Sequence, residues 1–370
     1  MIYLDYAAHT PVDADVLKAF GDAALQYPGN PNSPHALGLE ALKRMEEATA
    51  HIASMLSAKP EEIIYTSGAS ESNNQAIKGV AKSYQRYGKH IITSFLEHAS
   101  VTGPAAALQN EGFEIDFVNV TKTGEIDLEH LKELLREDTI LVSLAIVDSE
   151  IGVIQPIDKI YEIVKEKKHC FLHVDATQAV GKIPVAFEHM DLFTCSGHKI
   201  YGLTGVGLLL KKENVILEPL IHGGLSTTSF RSGTPALALA VSLEKAIELT
   251  TVNIDQHRDR VASMNRKLRK AFERNKNIVI NTPENGSPYI LNISIKNINT
   301  NLLLAALNEK DIYVATKSAC CAVNTVSKPV YAMTKDKKLS LATLRVSLSH
   351  LTTEEEIDTF LEVFEAALKN

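Results

Sequence analysis

A chain of 370 residues, 45% of them hydrophobic, is long enough for about two domains at roughly 150 residues each, with cores that need no metal or disulfide to hold them. Its 38 Lys and Arg against 45 Asp and Glu give a net charge of −7 spread along the sequence, with no basic patch for nucleic acid or an anionic membrane surface. The longest apolar runs, such as Val206 to Leu210, fall far short of the roughly 20 residues of a spanning helix.

The N-terminus carries Asp5 where a signal peptide needs a basic start and an apolar stretch. Four cysteines without a CxxC pair disfavour a disulfide framework or a structural zinc site, and a reducing cytoplasm is the expected location. The first 20 or so residues hold turn chemistry and a short helix. From about residue 60 to 212, β-branched runs alternate with amphipathic stretches, the pattern of a mostly parallel sheet with helices on both faces. Strands are expected at 62–66, 90–94, 113–120, 139–147, 170–175, 191–196 and 205–211. Crossover helices are expected from Ser72 to Tyr87, Asp127 to Leu135 and Pro156 to Glu166. The proline-free run from Ala236 to about Asn275 reads as a helix pair. Beyond it, strands at 289–295, 312–316 and 343–349 and helices at 301–310 and 353–369 read as a smaller α+β unit. The expected division is a large α/β domain over 15–250 and a small α+β domain made of 1–14 and 251–370.

Five segments put polar or reactive groups at expected strand ends, where open sheets bind ligands. In Tyr65 to Asn73 a strand enters a small-residue turn and then a helix, so backbone N–H groups and the helix N-terminus could hold an anion, although Ser70 or Ser72 could equally be a simple cap. Asp175 ends a buried strand, where it would cap the next helix or meet a cation such as a protonated pyridine nitrogen. Lys199, in SGHK after another buried strand, has the surroundings that let an amine lose its proton and attack a carbonyl, with Ser196 and His198 as further donors. His98 follows the strand at 90–94 and could stack on an aromatic cofactor or move protons. Cys320 and Cys321 follow Lys317 on a predicted loop, where a thiolate would be reactive and Lys317 would favour it, or the pair is inert. Arg345, in mid-strand, needs a partner and makes a natural clamp for a carboxylate. No HExxH or His/Cys ligand spacing supports a metal.

Taken together the segments resemble the cysteine desulfurases of the class V aminotransferase family, pyridoxal phosphate enzymes of fold type I. The resemblance runs from IYLDYAAHTP (2–11) and GNPNSPH (29–35) through YTSGASESNNQAIKG, LEHAS, HVDATQAVGKIPV and SGHKIYGLTGVG to RSGTP, SAC and LRVSLSHLTTEEEID. It implies that Lys199 carries the cofactor, that Asp175 pairs with its ring nitrogen, that Gln178 reaches the ring oxygen and that His98 stacks on the ring. Ala69, Ser70, Ser196 and His198 would bind the phosphate, with Thr234 reaching it from the other subunit of a homodimer. Ser149 stands where the family commonly has an Asn touching the cofactor. Arg345 and Asn30 would hold the carboxylate of L-cysteine, and Cys320 would accept its sulfur as a persulfide before passing it to a protein acceptor for iron–sulfur assembly, tRNA thiolation or another thio-cofactor pathway. The alternatives are another class V enzyme, such as a selenocysteine lyase or an aminotransferase, and an inactive regulatory paralogue.

Overall fold

A computed structural model describes residues 1–185, 187–224, 226–317 and 325–368 of the chain. In chain order its first half contains β1 (Ile2–Tyr3), α1 (Ala14–Gln26), α2 (Ala36–Met55), β2 (Ile63–Thr66), α3 (Ala69–Tyr84), β3 (His90–Ser94), α4 (Ala99–Gln109), β4 (Glu114–Val118), α5 (Leu128–Leu134) and β5 (Thr139–Ala145). Then come α6 (Ile157–Val164), β6 (Phe171–Asp175), β7 (Leu192–Ser196), β8 (Gly207–Lys211) and the long helices α7 (Leu237–Val252) and α8 (Ile254–Glu273). The last hundred or so residues give β9 (Ile278–Ile280), β10 (Ile290–Ile295), α9 (Thr300–Asn308), β11 (Ile312–Tyr313), α10 (Lys328–Thr334), α11 (Lys337–Leu341), β12 (Thr343–Ser347) and α12 (Glu354–Ala367).

Among the described residues a seven-stranded sheet has the order β2-β8-β7-β6-β5-β3-β4. Strands β3 to β7 pair in parallel, and β8 runs antiparallel to both β7 and β2. Strands β3, β6, β7 and β8 are buried along their whole length, which is why they read as continuous apolar runs rather than alternating ones. One hydrophobic cluster, with Leu144, Val174 and Leu208, fills the space between this sheet and its helices. A second, with Leu291, Phe272, Phe360 and Phe364, lies under the antiparallel sheet β12-β10-β9. Strand β1 pairs in parallel with β11, so the N-terminal segment joins the C-terminal part of the fold. No helix among the described residues is long and apolar enough to cross a membrane.

All seven expected strands of the large sheet form, with ends moved by a few residues. Helix α3 starts three residues earlier than expected, because Gly68, at φ 144°, supplies the turn out of β2 that a side chain would strain. The strand expected at 312–316 shrinks to Ile312–Tyr313, and beyond it only Ala315 touches a strand, through an isolated bridge to Arg345. Helix α4 was not expected: Pro104 breaks its pattern, yet tertiary packing of Val101, Ala105 and Leu108 retains it.

Candidate active site

The parallel strands end on one side of the sheet. There a cavity of about 330 Å³ is lined by groups from the ends of β3, β5, β6 and β7, from the start of α3, and from Ala7, Ala8 and Arg345. A larger cavity of about 1320 Å³ touches Asp5, Lys317 and Thr325 but none of Lys199, Asp175 and His98. The groups expected from the sequence gather in the smaller one.

Asp175 closes β6 at the floor of this cavity. Its Oδ1 accepts the backbone N–H of Thr177 at 3.0 Å, and its Oδ2 accepts Asn73 Nδ2 at 2.7 Å. The same amide nitrogen lies 2.8 Å from Ser100 Oγ, which is 2.8 Å from His98 Nδ1. His98 caps α4, its Nδ1 also accepting the backbone N–H of Ser100 at 3.1 Å. Burial holds this ring below the ordinary histidine value.

Lys199 ends the short turn Gly197–Lys199 that follows β7. A Cβ on Gly202 would lie 2.8 Å from Gly197 O, so this turn closes only around a glycine. Tyr201 takes a left-handed φ of 62°, a strained position held by Thr10 Oγ1 on its N–H at 2.8 Å and by Ser349 Oγ on its hydroxyl at 2.6 Å. Lys199 Nζ donates to the carbonyls of Ala7 and Ala8 at 2.8 and 2.6 Å. Gln178 Nε2 donates to the same Ala7 carbonyl at 2.8 Å, and buried Lys182 donates to Gln178 Oε1 at 2.7 Å.

The start of α3 forms a cradle that could hold an anion. Gly68 opens it, and a Cβ on Gly207 of β8 would lie 2.7 Å from Gly68 Cα, so the two backbones meet because Gly207 has no side chain. Ala69 and Ser70 begin the helix on the cavity wall, with the N-terminal end of the helix dipole behind them. Across the opening Ser196 Oγ lies 2.9 Å from His198 Nδ1. Burial, with Lys199 and His9 adding to it, pushes His198 down to about 4.

Arg345, 1% exposed, donates from Nη1 to Ser149 O at 2.8 Å and from Nη2 to Asp5 Oδ1 at 2.7 Å. Two of its five donors are thus engaged, and among the described residues Nε has no partner.

The sequence pattern of the family described as Aminotransferase class-V matches residues 2–360. The chain is also 38% identical over 376 residues to a cysteine desulfurase IscS of Neisseria meningitidis serogroup C (strain 053442), an alignment covering 99% of this chain and 92% of that one. The chain belongs to the class-V aminotransferase family, among the cysteine desulfurases. A solved NifS-like protein matches this class-V member with a TM-score of 0.93 and 35% identity over 100% of this chain and 99% of its own. A structure of SspA in complex with cysteine matches with a TM-score of 0.84 and 30% identity over 95% of this chain and 100% of its own.

Within this class-V fold the cavity brings together Ala69, Ser70, His98, Ser149, Asp175, Gln178, His198, Lys199 and Arg345, and Ser196 touches it through His198. Two expected residues lie elsewhere. Asn30 accepts the N–H of Asn32 in the turn ahead of α2, and Thr234 stands between Gly233 and Pro235, which line a separate cavity of about 140 Å³. Cys320 and Cys321 lie outside the described residues; on either side of that segment, Lys317 Nζ donates to Thr325 O at 2.6 Å. Asn73, Ser100, Lys182 and Asp5 were not read as site residues. Each is a lone polar side chain whose partner the sequence does not announce, whether 4 positions away, as for Lys182 and Gln178, or 340, as for Asp5 and Arg345. The one available signal was their place inside the motif segments.

Proposed function

We propose that this protein is a pyridoxal phosphate-dependent cysteine desulfurase that converts L-cysteine to L-alanine and passes the sulfur to Cys320 as a persulfide. The observation that carries the reading is the placement of an amine, Lys199, and a carboxylate, Asp175, in one cavity with the α3 cradle and the Arg345 guanidinium. The residues fit the cofactor. A phosphate suits the Gly68 cradle and the helix N-terminus, Asp175 suits a ring nitrogen, and the buried hydroxyl of Thr177, without a partner among the described residues, awaits a polar group. When bound, pyridoxal phosphate serves as the electron sink that makes the Cα proton of an amino acid removable.

The chain's own groups do the rest. Lys199 Nζ would hold the cofactor and, once free, would serve as the base for the Cα proton. Gln178 would interact with the ring oxygen, and Ala69, Ser70, Ser196 and His198 would hold the phosphate, with Thr234 contributed across a homodimer. Ser149 lies on the same wall. Arg345 would hold the substrate carboxylate. The Cys320 thiolate attacks the substrate sulfur, so that an S–S bond forms as the C–S bond breaks; the former Cβ gains a proton and Cα regains the one it lost, which completes alanine.

The same reading divides the chain into 15–250 and 1–14 with 251–370. This is supported by the two hydrophobic clusters, which draw their buried residues from Val16 to Ile247 and from Leu4 with Val261 to Phe364. It places the protein in the cytoplasm, with a protein acceptor for the sulfur. The test is alanine formation from L-cysteine by protein loaded with pyridoxal phosphate, with a reductant present and Cys320→Ser and Cys321→Ser alongside. Alanine and sulfide together, lost only in Cys320→Ser, are expected. Cofactor binding without alanine would sink the reading.

A further inference from the structure

We propose that Asn73 and Ser100 are positioning residues that hold His98 as the neutral imidazole protonated on Nε2 and tie it to Asp175. Asn73 is fully buried near the start of α3, with its Nδ2 2.7 Å from Asp175 Oδ2 and 2.8 Å from Ser100 Oγ. A carboxylate oxygen only accepts, so the amide must turn its NH2 toward Asp175; reversed, its carbonyl would face the carboxylate. This orientation leaves Asn73 Oδ1 buried without a partner among the described residues. A buried carbonyl stays unpaired only where a stronger demand fixes the group, and here Asp175 makes that demand.

The direction of the relay then follows. One amide hydrogen goes to Asp175 and the other to Ser100 Oγ. Having accepted, the Ser100 hydroxyl turns its own hydrogen to His98 Nδ1 at 2.8 Å, and the Ser100 backbone N–H reaches the same nitrogen at 3.1 Å. A ring nitrogen receiving two donors carries no proton, so the proton of the neutral ring sits on Nε2. Of the charged groups around the ring, Asp175 at the end of β6 and Glu150 after β5 favour protonation, and Lys199 after β7 opposes it together with burial. The inference rests on the site reading above and deepens it: His98 enters the reaction as a hydrogen-bond donor at Nε2 and never as a base at Nδ1.

The experiment is nitrogen NMR of the full chain, labelled at histidine and carrying bound pyridoxal phosphate, with the His98 signals identified by their loss in His98→Gln. The wild-type ring should show Nε2 protonated and Nδ1 bare. Ser100→Ala and Asn73→Ala should shift the Nδ1 resonance toward the protonated position, while Ser100→Thr, which keeps the hydroxyl, should restore the wild-type pattern. Melting curves show whether each variant is folded. A wild-type ring protonated on Nδ1 overturns the inference, as does an unchanged spectrum in both folded alanine variants. The wild-type spectrum decides the tautomer even if a variant fails to fold. An Nε2-protonated ring in a protein that makes no alanine supports the relay while counting against the desulfurase reading.

Discussion

Asp5 and Arg345 are 340 positions apart in the sequence and meet through a 2.7 Å bond between Oδ1 and Nη2. The pair fixes the plane of the guanidinium at the cavity wall, since Ser149 O takes Nη1 from another side. Arg345→Lys keeps the charge but loses the planar fork, and should raise KM for L-cysteine at least about tenfold. Asp5→Asn keeps an acceptor without the charge and should raise KM by less, about threefold, with kcat little changed in both. Steady-state kinetics check the order; equal KM values in both variants and wild type would remove Arg345 from carboxylate binding.

Lys182 reaches the site through Gln178. Removing its donor in Lys182→Met leaves Gln178 Oε1 without the 2.7 Å bond that orients the amide. Turnover should fall by about tenfold or more through misplacement of Gln178, with a stability change of about 1–3 kcal/mol from the lost bond. Alanine formation and urea denaturation report the two effects separately.

Glu97 is buried beside the site, with Ser94 Oγ donating to Oε1 at 2.7 Å and Oε2 without a partner among the described residues. Burial pushes its carboxyl up to about 8. The folded protein therefore binds a proton that the unfolded chain has already shed between about pH 4.5 and 8, so this group's contribution is intact below that window and is lost as pH rises through it. Glu97→Gln keeps the shape and the Ser94 contact without the charge. Its stability relative to wild type should rise with pH across the window, by at most about 5 kcal/mol at about 1.4 kcal/mol per unit. Denaturation at pH 5 and pH 9 measures it, and a difference that does not change with pH would show that the carboxyl titrates normally.

Gly207 sits where β8 touches the α3 cradle. In Gly207→Ala the new Cβ would lie 2.7 Å from both Gly68 Cα and Cys195 O, and neither backbone can yield without moving the helix start. Affinity for pyridoxal phosphate should drop by about tenfold or more, with a stability cost of about 1–3 kcal/mol from the clash. Equilibrium dialysis of the cofactor tests the first and thermal melting the second.

Much of this architecture was legible because burial on both faces leaves an unmistakable trace. Strands such as Thr139–Ala145 and Phe171–Asp175 are nearly unbroken apolar runs, and Asp175, the carboxylate ending the second, stands out at its end. Helix α4 was hidden because Ala99 to Gln109 is rich in small residues and contains Pro104, so its pattern gives little periodicity. Asn73 and Lys182 were hidden for a different reason. A polar residue in a helix, like Asn73, or in a turn, like Lys182, reads as solvent-facing until a partner, here Asp175 or Gln178, is seen to bury it. The reading of Cys320 rests on its motif alone, and it lies outside the described residues.

The carbonyls of Ala7 and Ala8 that hold Lys199 belong to a segment secured from the far end of the chain, since Ser347 donates its N–H to Leu4 O and its hydroxyl oxygen accepts the N–H of Ala7. During synthesis, the residues that steady the amine leave the ribosome long before β12, the last strand among the described residues, and must wait for it before they are fixed in place. The sheet can therefore form well before its lysine is in working position. Cofactor capture in a competent geometry is a late event in folding, completed only when the two ends of the polypeptide have found each other.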